Sequence, residues 1–378
     1  MFFEQLLPEL ARAGHRVRVL AEAPPPSGER RAALDWDRPN LTVAWPALEY
    51  RSGGTPPPAA FARRQRRTFE RLLSEAVMDR RPDVVLLGRE SLVWYAPEVC
   101  RAHGLPTVLV AKGSPSAGLA AGLYPEAAAR AFVERLRSVD LVVCVAHHLT
   151  QTLRQLGVSS VLTIPNVVDP ERFRPAHRHP SLCARLDIDT QAPVVGSFCG
   201  LVPGKRPLDL IASAGSVLEA EPSVVYIVSG SGERRKLAQR AATERGIGAA
   251  FRWPGEIERP RMPDFLNLTD VVVHASEREG APLTYLEAQA CGRALVASDI
   301  PAAREIIADG RTGMRFPTGD SGALATLTLE LLRDPGARGE LGAAARAAVS
   351  GSNLEQWADA YARALGELAA SRASTAAS

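Results

Sequence analysis

The chain has 378 residues, more than one ordinary hydrophobic core uses and enough for two domains of common size. Its 45 basic and 42 acidic residues leave a formal charge of +3 with the basic residues scattered, which argues against nucleic acid as a partner. The five cysteines, Cys100, Cys144, Cys183, Cys199 and Cys291, show no CxxC pair or zinc-like spacing and fit a reducing cytoplasm, and no apolar run approaches the ~20 residues of a membrane span.

Residues 1–12, MFFEQLLPELAR, carry Phe2, Leu6 and Leu10 on one side and predict an amphipathic helix stopped by Gly14. A strand is predicted at 17–20, and another at 41–44 between the proline triplets at 24–26 and 56–58, which mark loops. Residues 61–81 predict an arginine-rich helix whose apolar positions are Phe61, Phe69, Leu72 and Leu73. Such a face leaves peripheral contact with an anionic inner membrane surface open. Its modest apolar moment, with Glu70 and Glu75 diluting the charge, favours a solvated helix packed along one stripe.

Strands are predicted at 83–87 and 107–110, with a helix through Cys100 between them. The second strand runs into AKGSPS at 111–116, where Lys112 is one of only three lysines in the chain. Loop residues at strand ends often carry function, and an ordinary exposed lysine is an equal expectation there. Further strands follow at 140–145 and 161–164. Residues 174–191 have the proline, histidine and charge content of a linker, and His177 and His179, without Cys or carboxylate partners at ligand spacing, read as surface residues.

A second series of strands opens with VVGSF at 194–198, followed by CGLVPGKRP at 199–207. Lys205, placed where a strand passes into a helix, can neutralise a diphosphate as a point charge, with Arg206 as a neighbouring cation. An ordinary lysine at a helix start is the bland alternative. The strand at 224–228 ends in the glycine-rich turn SGSG at 229–232, which includes Gly230. In WPGEI at 253–257, Trp253 reads as lining the core more readily than as stacking on a base. His274 ends a buried strand and reads as a satisfied core histidine.

Residues 271–298 predict strand, loop, helix, strand, with apolar runs at 271–273 and 294–297 typical of parallel strands covered on both faces. Pro282 suits the first helical position and Gly292 ends the helix. Leu283, Leu286 and Ala290 form the expected buried stripe, which turns Glu287 away from the core. The helix start at Gly280, Ala281, Pro282 and Leu283 combines the backbone N–H groups of its non-proline residues with the positive end of the helix dipole, a setting for a phosphate. Glu279 in the loop could then accept from hydroxyls of a group attached to that phosphate, and Glu287 from ribose hydroxyls, which describes a nucleotide-sugar site.

The two glutamates separated by seven residues, followed by Ala288, Cys291, Gly292, Glu305 and Gly313, resemble the signature of the retaining family-4 glycosyltransferases of GT-B fold. GHRVRVL at 14–20 and PNVVDPERF at 165–173, with Val167 in place of a glycine, resemble two further segments of that family. The resemblance implies an α/β protein with two Rossmann-like domains facing across a cleft. Residues 1–175 would be the acceptor domain, 190–350 the nucleotide-sugar donor domain, and 351–378 a helix crossing back to the first domain plus a flexible tail. It implies Lys205 as the phosphate-binding lysine, the Gly230 turn as a donor loop, and the backbone at Gly255 and Ile257 as a contact for the nucleobase. No cofactor or metal is implied.

Three further departures stand against this pattern. Lys112 occupies the place where many members carry a histidine that contacts the sugar or its acceptor, and Gly200 that of an arginine near the diphosphate, for which Arg206 is a substitute. The strand and glycine-rich loop that usually precede the first helix are missing, so the reading frame upstream of Met1 is expected to encode a Val/Ile/Leu-rich strand followed by at least two glycines.

The expected activity is transfer of a sugar from a nucleoside diphosphate sugar to a hydroxyl of a glycan, lipid-linked or small-molecule acceptor, with the anomeric configuration retained. Lys205 and the helix start would stabilise the departing diphosphate, Glu279 would position the sugar and Glu287 the ribose, with neither glutamate a nucleophile. Two alternatives remain: a nucleotide-sugar epimerase on the same fold, which needs no acceptor, and a non-catalytic nucleotide-sugar-binding homologue, favoured by the three departures.

Overall fold

The computed structural model describes residues 2–20, 41–44 and 56–377, so Met1 and the proline triplet at 24–26 lie outside the described residues. Two compact α/β units result, Met1–Asn166 with Leu354–Ser378, and Val167–Asn353.

In the first unit the helix Phe2–Arg12 turns Phe2, Leu6, Leu7, Leu10 and Ala11 inward. Strands β1 (Val17–Leu20) and β2 (Leu41–Ala44) pair in parallel. A separate parallel sheet holds β3 (Val85–Leu87), β4 (Thr107–Ala111), β5 (Leu141–Cys144) and β6 (Val161–Thr163), in that order. Every residue of β4 is buried, the pattern of a parallel strand covered on both faces. The arginine-rich helix spans Ala59–Arg80 and packs through Gln65, Phe69, Leu72, Leu73 and Ala76, with Arg63, Arg66 and Arg67 exposed on its other side.

The last helix, Leu354–Ala377, belongs to this unit. Trp357 and Tyr361 meet Phe2 edge-on, at ring-centroid distances of 5.1 and 5.7 Å. The helix continues through residues 372–377, which the sequence placed in a flexible tail; the alanine-rich stretch RASTAA propagates a helix already nucleated and packed upstream.

The second unit is built on six parallel strands: β7 (Val194–Phe198), β8 (Val225–Ser229), β9 (Phe251–Gly255), β10 (Val271–His274), β11 (Ala294–Ser298) and β12 (Met314–Phe316). Their spatial order is β12-β11-β10-β7-β8-β9. Alternate residues serve opposite faces: Val194, Phe198, Ile227, Val272 and Leu295 enter one core, and Val195, Tyr226, Val228, Val273 and Val296 the other. The chain moves outward from β7 to β9, then returns to place β10 beside β7 and moves outward the other way. That reversal is a topological switch point, and the crevice beyond the carboxyl ends of β7 and β10 is where open α/β sheets bind ligands.

The stretch 174–191 is not a free linker. It contains the helix Pro180–Arg185, whose Leu182 and Cys183 are buried with Phe173 in the core of the second unit. Asp270 fixes its end by accepting from Arg178 Nη2 at 2.5 Å and from the Val194 backbone N–H at 2.8 Å. A polar composition concealed the few apolar positions that do the packing. All five cysteines are free thiols. No helix among the described residues is long and apolar enough to cross a membrane.

Candidate functional site

Two loops flank the switch point. One, residues 199–206, follows β7 and contains the tight turn Pro203–Lys205; the other, residues 275–282, follows β10. The Glu277 N–H donates to the Gly204 carbonyl at 3.0 Å and ties the loops together. Across this tie Lys205 Nζ pairs with Glu279 Oε1, which also accepts from Ser276 Oγ at 2.8 Å. The Lys205 and Glu279 side chains keep 22% and 10% exposure, so the pair sits at the mouth of the crevice. Arg206, in the left-handed region at φ 48°, donates through Nε to Asp209 at 2.5 Å and lies 3.8 Å from Glu277, which also takes Arg278. Three cations and three carboxylates thus neutralise one another on these elements.

The turns after β8 and β9 are fixed to the same edge. The Leu201 N–H donates to Ser231 O and the Gly230 N–H to Gly255 O, each at 2.7 Å. Gly230 has φ 113°, and a Cβ there would lie 2.1 Å from the Cys199 carbonyl oxygen, so only glycine permits the approach. Arg235 donates to Gly230 O at 3.2 Å and to Trp253 O at 2.9 Å. Trp253 stacks on Phe251, which stacks on Tyr226, and is part of the core packing. Ile257 packs half-buried against the other core. At Gly200 a Cβ would meet only Ser231 O, at an ordinary 3.7 Å, so close packing does not require glycine there.

The helix after the β10 loop spans Leu283–Ala290, with Pro282 as the residue before it (φ −66°, ψ 119°) rather than its first helical residue. Thr284, Tyr285, Glu287, Ala288, Gln289 and Ala290 are buried, whereas Leu283 and Leu286 are half-buried. Glu287 therefore faces inward and is fully buried, the reverse of the expectation from the leucine spacing. The cause is cover on several sides: Ala288 and Ala290 admit close neighbours, and the helix Pro335–Val349 packs against this one. Glu287 Oε1 takes a charge-assisted bond from Arg259 Nη1, and the Arg259 guanidinium carbon lies 5.2 Å from the Phe173 ring centroid.

His274 is buried edge-on against Tyr285, with ring centroids 5.1 Å apart. Neither ring nitrogen has a hydrogen-bond partner among the described residues, so it is a core histidine but not a satisfied one. Burial pushes it down to about 4, which keeps the imidazole neutral at pH 7.

Lys112 belongs to the first unit, where Nζ lies 4.1 Å from the Phe3 ring centroid and 5.2 Å from that of Phe2. Burial, aided by the charge of Arg89, pushes it down to about 8. Its neighbour Glu90 is buried and accepts from the Gly113 and Ser116 N–H groups at 2.8 and 2.7 Å, which fixes the loop.

Sequence reasoning did not single out Ser276, Arg278 or Arg259. Arg259 lies 28 residues before its partner in a short turn, and no spacing rule links the two.

Two family models cover most of the chain: Glycosyltransferase Family 4 over residues 1–172 and Glycosyl transferases group 1 over residues 182–348. The D-inositol 3-phosphate glycosyltransferase 2 of Catenulispora acidiphila is 30% identical over 298 residues, covering 74% of this chain and 68% of that protein. A GDP-mannose-dependent monoacylated alpha-(1-6)-phosphatidylinositol monomannoside mannosyltransferase of Corynebacterium glutamicum is 27% identical over 300 residues, 71% of this chain and 78% of its own. Among solved structures, Anabaena HepE in complex with UDP and glucose has a TM-score of 0.78 at 19% identity, covering 96% of this chain and 95% of that one. Sucrose-phosphate synthase from Thermosynechococcus elongatus has a TM-score of 0.81 at 18% identity, covering 97% and 92%. With its two parallel α/β units of GT-B class, this chain is a glycosyltransferase belonging to family 4.

Proposed function

We propose that the second unit binds a nucleoside diphosphate sugar and that the chain transfers the sugar to an acceptor hydroxyl with retention of anomeric configuration. The observation that carries this is the Lys205–Glu279 pair, delivered by adjacent loops to the switch point of the six-stranded sheet. A diphosphate entering there is a stronger partner for Lys205 than one carboxylate, so donor binding would move the ammonium from Glu279 to the phosphate oxygens. Glu279, kept in place by Ser276, would then accept from hydroxyls of the sugar. As the sugar–phosphate bond breaks, negative charge grows on the leaving group, and Lys205 together with the helix start at Gly280, Ala281, Pro282 and Leu283 would stabilise it. Arg206 supplies a second cation in the same loop, so the reaction is proposed to need no metal. The Gly230 and Gly255 turns would meet the nucleobase end of the donor through backbone groups. The donor class is in keeping with the GDP-mannose and UDP named for the relatives.

The test is a donor screen. The full chain is incubated with UDP-, GDP- and ADP-sugars, with and without hydroxylated acceptors, in the presence of EDTA. Release of nucleoside diphosphate from one donor class only when an acceptor is present, with an NMR-defined product of retained configuration, is expected. An epimerised donor formed without acceptor would favour the epimerase, and nucleotide binding without release from any donor the non-catalytic homologue.

A further inference from the structure

The buried Arg259–Glu287 pair is incomplete. The two side chains are 8% and 1% exposed, and one bond joins them, from Arg259 Nη1 to Glu287 Oε1. Arg259 Nε and Nη2 and Glu287 Oε2 are all buried, and none has a hydrogen-bond partner among the described residues. A buried ion pair that serves only the fold normally has its remaining donors and lone pairs satisfied, because each one left open forfeits its hydration without a replacement bond. Here two donors and one acceptor stay open on adjacent groups.

The character of those openings limits the ligand. A phosphate offers only acceptors and would meet the Glu287 carboxylate as a like charge. A vicinal diol fits, because each hydroxyl both donates and accepts. One hydroxyl oxygen can take Arg259 Nη2 while its neighbour donates to Glu287 Oε2. The Phe173 ring beside the guanidinium helps hold its plane in position. Along the chain, Arg259 comes four residues after the Gly255 turn proposed for the nucleobase, and Glu287 lies in the helix whose start is proposed for the diphosphate. The ribose is the part of a nucleoside diphosphate that lies between these ends. The turn Arg259–Arg261 lies outside the sheet.

We infer that Arg259 is a specificity-determining residue of the donor site, acting with Glu287 as a donor–acceptor clamp on the ribose cis-diol. It presupposes that the second unit takes a nucleoside diphosphate. Calorimetry on the full chain compares the nucleoside diphosphate that binds, chosen from UDP, GDP and ADP, with its 2′,3′-dideoxy analogue. The wild-type chain should bind the dideoxy ligand roughly tenfold more weakly or worse. Arg259→Met should bind the ribonucleotide about as weakly as the dideoxy form, bringing the ratio near one, and Arg259→Lys should give an intermediate ratio because it keeps the charge without the planar fork. Circular dichroism confirms folding, and if Arg259→Met fails to fold, Arg259→Lys decides alone. A variant that weakens both ligands equally and keeps the wild-type ratio overturns the clamp while leaving the donor reading in place. Failure of all three nucleoside diphosphates to bind the wild-type chain overturns both.

Discussion

Glu279 pairs with Lys205, so removing its charge acts on two proposed partners in opposite senses. On the proposed reading, Glu279→Gln would release the lysine for a diphosphate and weaken an acceptor for sugar hydroxyls. Nucleoside diphosphate affinity measured by calorimetry should be unchanged or tighter by up to about tenfold, while kcat falls by at least about tenfold. Weaker nucleotide binding would place Glu279 on the nucleotide instead.

His274 gives a pH signature. Its pKa falls from 6.5 in the unfolded chain to about 4 in the fold, because burial penalises the charged ring. Between those values the unfolded chain binds more protons. The stability contribution is therefore fully present above pH 6.5 and is lost as pH falls through 4. Urea midpoints of the wild-type chain should drop between pH 7 and pH 4.5, and those of His274→Phe should drop less. Parallel profiles for the two proteins would mean that other groups set the acid sensitivity.

At the scale of elements, the turns beyond β7, β8 and β9 stand or fall together. Gly230→Ala drives a Cβ into the Cys199 carbonyl in a backbone region that disfavours side chains, so the β7 loop that carries Lys205 must shift. A stability loss of at least ~2 kcal/mol in urea titration, with nucleotide binding lost in the folded fraction, is expected. Gly200→Ala, where the added Cβ has an ordinary contact, is the control and should fold normally.

The sequence made some of these elements visible and hid others for physical reasons. Apolar runs at β10 and β11 announced buried parallel strands, because such strands need no alternation when both faces are covered. The helix Leu283–Ala290 was visible but its buried face was not, since helical spacing reports which residues could share a stripe and not how many neighbours cover the helix. Lys205 and Glu279 could each be singled out by their place after a strand. Their pairing across 74 positions, and that of Arg259 with Glu287 across 28, appear only once the strand order places the loops side by side.

Taken whole, the molecule consists of two compact units. Lys205, Glu279, Glu287 and Arg259 all belong to the second, on elements that follow the carboxyl ends of its parallel strands, and Lys112 belongs to the first. The last helix returns to the first unit through the contacts of Trp357 and Tyr361 with Phe2. The central claim concerns where the leaving-group charge goes. Steady-state kinetics of Lys205→Ala, with the donor and acceptor identified for the wild-type chain, test it most directly. The account predicts a fall in kcat of at least about a hundredfold with the donor KM changed by less than about fivefold, because only interactions that strengthen in the transition state raise the rate. An unchanged kcat, with or without a higher KM, would contradict it.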